Sequence, residues 1–260
     1  MDAVASSAPA AAVAAIANIV DPVALSLAHA AEAAIEHRRR VVLENLANVD
    51  VPGWKRRIAS VRGHSGFTVG GQTFQMPTVF EVVRDHQQGP LVVTQRALDV
   101  AIDGDGFLRV TAADGTNGYT RNGTLLINAD GKLVTAEGLV VVPEITVPSD
   151  MLDLAIDPEG RITCRTAGSP DTSTLLGQWT LSRFVNAPGL RCSVGLLAAS
   201  DASGAPITGT PGSNGLVVLK QGCLERSNVQ LANELLELQA IERQAVAFGW
   251  ALAPYGIGAP

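Results

Sequence analysis

Aromatic side chains are scarce, at 4% of the 260 residues. So few planar faces cannot build a base-stacking surface. The formal net charge is −6, which excludes a nonspecific nucleic-acid surface by its sign. The three cysteines, Cys164, Cys192 and Cys223, are odd in number and far apart. They form no CxxC metal or redox motif and no disulfide framework, and are read as buried free thiols. No apolar run reaches the roughly 20 residues that a membrane-spanning helix needs, so membrane insertion is not expected. No Lys or Arg precedes Arg38, and Asp2 stands where a signal peptide carries positive charge. A cleaved signal peptide is therefore not expected.

Catalytic signatures are missing too. There is no GxSxG elbow, and residues 208–215 lack the Gly-Lys-Ser/Thr ending of a phosphate loop. His29 and His37 lie two turns apart, outside the i, i+3 or i, i+4 spacing of a metal pair. His64 and His86 read as residues of polar loops. Asp103, Asp105, Asp114 and Asp130 sit in tight-turn dipeptides, not in a 12-residue calcium loop. No catalytic, cofactor or metal residues are expected.

Apolar residues make up 47% of the chain, and 26 Gly and 14 Pro punctuate it. That composition suits a folded chain with a turn-rich β middle. Asp21-Pro22 is a strong helix start, an N-cap followed by Pro at the first helical position. Ala28, Ala31, Ile35, Val42 and Leu46 then recur at helical spacing. Asn48 suits a C-cap, Val51 is driven extended by the following proline, and Pro52-Gly53 supplies a type II turn. Trp54 follows, and Lys55, Arg56 and Arg57 read as a basic surface step. Residues 68–74 suggest a Gly-Gly hairpin and 78–84 a further strand. From residue 91 onward short strands alternate with tight turns. From residue 227 the period returns to helical, with Leu231, Leu235, Leu238, Ile241, Ala245, Phe248 and Leu252 on one narrow stripe. Pro254 stops it.

The expected fold class is α+β: long N- and C-terminal helices paired as a coiled-coil-like element, with a central antiparallel β-rich domain. The expected divisions are a flexible extension 1–20, an N-terminal helix and hinge 21–57, a connecting segment 58–90, a central β domain 91–215, a C-terminal helix 216–253 and a tail 254–260.

Three separated strings carry a family resemblance. NLANVDVPGWKRR (45–57) resembles the signature that ends the N-terminal helix of bacterial flagellar rod and hook proteins. DVAIDGDGF (99–107), YTRNG (119–123), NADGKLV (128–134) and PEITVP (143–148) resemble the central β region of rod proteins, most of all the distal-rod type. QGCLERSNV (221–229), NELLE (233–237) and QAIERQ (239–244) resemble their C-terminal helix.

The resemblance implies a structural, non-enzymatic subunit of the basal-body rod. It would be exported through the flagellar type III channel without a cleaved signal. It would polymerise helically with its own copies and with other rod and hook axial proteins, with P- and L-ring proteins as further partners. A proximal-rod or hook-type paralogue is the alternative within the family. A secreted β-rich adhesin or a hydrolase is the alternative outside it. The expected subunit interface is Ile35, Val42, Leu46, Leu231, Leu235, Leu238, Ile241 and Phe248. The expected hinge residues are Asn45, Asn48, Pro52, Gly53 and Trp54.

Overall fold

The computed structural model describes residues 22–61, 64–69, 72–77, 80–112, 114–193, 196–213 and 217–252. The extension 1–20, the expected N-cap Asp21 and the tail 254–260 lie outside the described residues. The chain divides into two compact units. Unit 1 is drawn from residues 1–47, 57–83 and 230–260, and unit 2 from 48–56 and 84–229.

Unit 1 holds both helices, α1 (Pro22–Ala47) and α2 (Leu231–Leu252). Pro22 opens α1 as its sequence requires, because its fixed φ suits the first helical position. Ala31, Ala34, Ile35, Val41, Val42 and Asn45 are buried at three- and four-residue spacing on α1. On α2 the buried residues are Glu234, Ile241 and Phe248, one every seventh position. The hairpin read from residues 68–74 pairs His64–Val69 with Gln72–Pro77. Val69 lies opposite Gln72 at the end of this pairing. Strand Phe80–Arg84, the further strand expected there, pairs with Arg57–Val61.

The α+β expectation with a coiled-coil-like helix pair is corrected by this architecture. Among the described residues strands dominate at 40%, only two α-helices occur, and no long paired coiled coil is present. The reason lies in α2. A coiled-coil seam needs apolar knobs at its repeating inward positions. Here Glu234 occupies one and is fully buried, while Leu231 and Leu235 of the predicted stripe face water. Contacts between α1 and α2 include polar ones: Arg38 donates to Gln244 at 3.3 Å and pairs with Glu237 at 3.6 Å.

Unit 2 is built around a nine-stranded sheet whose pairings are all antiparallel. Strand Phe107–Thr111 is central to it, flanked by Asn117–Thr120, Val140–Val142 and Leu181–Arg183. A three-stranded sheet, Met151–Ile156, Arg161–Thr166 and Ser169–Gln178, supplies the facing layer. Leu108, Val110, Leu133, Val141, Leu154, Ile162 and Trp179 from these elements share one core. Strand alternation places Leu154 and Ile156 inward while Asp153 and Ala155 stay exposed. The turn readings of the acidic dipeptides hold at Gly115 and Gly131, whose φ values are 84° and 78°. The three thiols are free, but only Cys164 is buried. Cys192 is exposed and Cys223 half-buried, against the expectation of three buried thiols.

Candidate functional site: two buried polar clusters on the motif strings

The first cluster belongs to unit 1. Asn45 lies on the last turns of α1, and its side-chain amide pairs with the backbone of Arg57. Nδ2 donates to the Arg57 carbonyl at 2.8 Å, and Oδ1 accepts the Arg57 N–H at 2.8 Å. The carboxamide thus completes a backbone-like ladder rung across 12 residues. The same Nδ2 donates to Glu234 Oε2 at 3.1 Å. Asn45 and Glu234 are both fully buried, and Arg57 forms an ion pair with Glu44. Only an amide, with one acceptor and two donors on a short stem, can make all three bonds.

The second cluster belongs to unit 2. Val51 to Trp54 form the expected turn: the Trp54 N–H donates to the Val51 carbonyl at 3.2 Å, and Gly53 has φ 70°. A Cβ on Gly53 would lie 2.5 Å from the Arg121 carbonyl carbon, so only glycine fits. The turn delivers Lys55 into the interior, where its ammonium meets Glu225 Oε1 at 2.7 Å and donates to the Gln87 carbonyl at 2.6 Å. Arg121 Nε meets the other oxygen of Glu225 at 2.6 Å. The remaining Arg121 nitrogens donate to the carbonyls of Gly104, Gly106 and Ile102 at 2.8, 2.7 and 3.1 Å. The Gly89 N–H donates to Glu225 Oε1 at 2.9 Å. All three charged side chains are at most 3% exposed. Charges taken from water in this way survive only when paired and fully hydrogen-bonded, and these are.

Two backbone segments are stitched together around this triad. The Gly53 N–H donates to the Glu225 carbonyl at 2.8 Å, and the Arg56 N–H to Asn228 Oδ1 at 2.6 Å. Asn228 Nδ2 donates to the carbonyls of Asp85 and Gln87. Arg84 lies over the Trp54 ring, 5.4 Å from its centroid. Burial and the charge of Arg121 pull the Lys55 ammonium below its ordinary value, with Glu225 opposing.

The hinge residues therefore divide. Asn45 is a buried clamp, Gly53 a close approach, and Pro52 and Trp54 are half-buried members of the turn. Asn48 is not a left-handed cap, since Gln95 is the single non-glycine with positive φ among the described residues. Its carbonyl instead accepts the Val51 N–H at 3.2 Å. Lys55 is not part of a basic surface step but is buried in the triad. Of the stripe residues, Ile35, Val42, Ile241 and Phe248 are buried. Leu46 and Leu238 are half-buried, and Leu231 and Leu235 are 51% and 45% exposed. His86 is not in an ordinary polar loop: its ring packs edge-on against Phe107 at 5.7 Å.

Sequence reasoning missed Lys55, Arg121, Glu225 and Glu234 as partners. A signal was there. Lys55, Arg121 and Glu225 each fall inside one of the three motif strings, with complementary charge.

Residues 101–164, which include Arg121 and the central strand, match the family described as flagellar hook protein FlgE/F/G D1 domain. The flagellar basal-body rod protein FlgG of Agrobacterium fabrum is 34% identical over 237 residues, covering 85% of this chain and 90% of that protein. The chain belongs to the flagellar basal-body rod protein family. The FlgG protein of Buchnera aphidicola from Acyrthosiphon pisum is 37% identical over 220 residues, covering 78% of this chain and 84% of the relative. The rod protein FlgF of Salmonella typhimurium is 30% identical over 212 residues. Similarity to FlgG supports the distal-rod type within the rod proteins.

Proposed function

We propose that this chain, a structural rod subunit of the flagellum by family, polymerises helically through its terminal helices. The observation that carries this reading is the outward apolar surface of those helices. Leu231, Leu235, Leu236 and Val246 on α2, and Leu43 on α1, are each more than 40% exposed. Each helix already buries another face inside unit 1, and among the described residues these side chains face water. In a polymer they pack on neighbouring copies and on other axial proteins of the rod. The buried residues Ile35, Val42, Ile241 and Phe248 support that surface from beneath, and the half-buried Leu46 and Leu238 sit at its margin.

The same reading takes residues 21–57 and 216–253 as the assembling parts and 91–215 as the β body. Residues 58–90 connect them, and 1–20 and 254–260 lie outside the described residues. P- and L-ring proteins are partners for the outer surface of the assembled rod. Export proceeds through the flagellar type III channel without a cleaved signal. The role is structural, and the family to which the chain belongs is not an enzyme family.

The test is Leu235→Asp together with Leu238→Asp in cells lacking the native gene. Leu235→Asp is expected to abolish motility and leave basal bodies without a complete rod, while the purified variant keeps its β-sheet circular dichroism. Motile cells with normal basal bodies for both variants would refute the interface.

A further inference from the structure

His86 sits in an environment that suits its neutral form alone. Both ring nitrogens are buried and neither has a hydrogen-bond partner. The ring packs edge-on against Phe107, which continues an aromatic chain through Phe184 to Tyr119 at centroid distances of 5.9 and 4.8 Å. The charged groups around it are mostly of one sign. Lys55 from the turn segment, Arg84 two residues before His86, and Arg121 from the β body all repel a proton there, and Asp85 alone attracts one. Glu225, the one carboxylate in the triad, is already engaged by Lys55, Arg121 and the Gly89 N–H.

The segment that carries His86 is held by a set of bonds that includes the two from Asn228 Nδ2 to the carbonyls of Asp85 and Gln87. The Asp85 N–H donates to the Arg56 carbonyl at 2.8 Å. The Gln87 carbonyl accepts from Lys55, and Gly89 N–H donates to Glu225. Gln88 donates to the Ile102 carbonyl at 3.0 Å and accepts from Gly104 N–H at 2.9 Å. A proton on the imidazole would add a fourth cation whose ring nitrogens have no hydrogen-bond acceptor. Water or an anion must then reach the ring, and the ring can meet them only by leaving Phe107.

We infer that residues 85–89 form an acid-released latch on unit 2, in which protonation of His86 expels its ring from Phe107 and frees the segment from the Lys55–Glu225–Arg121 triad. The latch opens by adding one proton and breaks no covalent bond. It stands on the geometry of unit 2 and is independent of how the subunits assemble.

Hydrogen exchange of the full-length protein between pH 7.5 and 4.5 tests it. Burial and the three cations lower the His86 value from 6.5 to about 4. After correction for intrinsic exchange, the Gly89 amide is expected to exchange at least about tenfold faster at pH 5 than at pH 7. The core amide of Leu108 should not follow. His86→Phe keeps the ring contact and removes the titration, so its Gly89 exchange should stay flat. The same acceleration in His86→Phe would overturn the latch. Should that variant misfold, the ring protons of His86 in the unaltered protein decide by nuclear magnetic resonance. Protonation that coincides with Gly89 exposure supports the latch. Protonation near pH 6.5 with Gly89 still protected overturns it.

Discussion

Glu225 and Arg121, 104 residues apart in sequence, meet in the interior of unit 2 with Nε and Oε2 2.6 Å apart. Lys55 completes the arrangement from the other side of the carboxylate. One acid thus serves two cations, and removing it leaves both uncompensated. Glu225→Ala is expected to destabilise the protein by about 3–5 kcal/mol. Glu225→Leu combined with Lys55→Met and Arg121→Met should recover part of that loss, because no buried charge remains. Urea unfolding monitored by circular dichroism would read both. A triple variant no more stable than Glu225→Ala would show that the triad's hydrogen bonds outweigh its charges.

The titration of Lys55 has a defined sign. Its folded value lies below the ordinary 10.5, chiefly through burial and then Arg121. A base held this way binds its proton less tightly when folded. The cost of burying the charged form is fully present below the folded value and is relieved as pH rises toward 10.5. The stability difference between the unaltered protein and Lys55→Met should therefore shift in favour of the former as pH rises toward 10.5. Denaturant midpoints of the two proteins across that range would check it. A difference that moves the other way contradicts the assignment.

Gly53 combines a left-handed backbone with a tight approach to Arg121 and Asn122. Gly115 has φ 84° and nothing within 4 Å of its would-be Cβ. Gly115→Ala should cost about 1 kcal/mol from backbone strain alone. Gly53→Ala should cost at least about 2 kcal/mol more, since backbone atoms must move. Equal melting temperatures for the two variants would contradict the close approach.

Asn45 holds both backbone groups of Arg57 and lies beside Glu234. Asn45→Ala should cost about 1–3 kcal/mol by leaving those groups unmet. Asn45→Asp should be worse at pH 7, because it loses the donor and sets a second carboxylate against Glu234. Thermal melts of the two variants would establish the order, and a more stable Asn45→Asp would break the argument.

Local chemistry was legible in the sequence. Pro22 opened a helix, Pro52-Gly53 made a turn, and Asp-Gly pairs turned the strands, because φ preferences act over one or two residues. Helical periodicity located α1 and α2 to within a few residues. The three strings located the family for the same reason: a string of residues is read without knowing what it touches.

What only the tertiary structure decided was the fate of charge and of each helix face. Lys55 stood in a run of three cations and looked solvated, yet Glu225, 170 residues away, draws it inside. Glu234 is an acid on an otherwise amphipathic helix, yet Asn45 gives it a partner in the interior. Leu231 and Leu235 looked like the inward seam and instead face water. Burial of a polar group depends on whether a partner arrives to replace its water, and that partner comes from elsewhere in the chain. Local spacing carries no record of it.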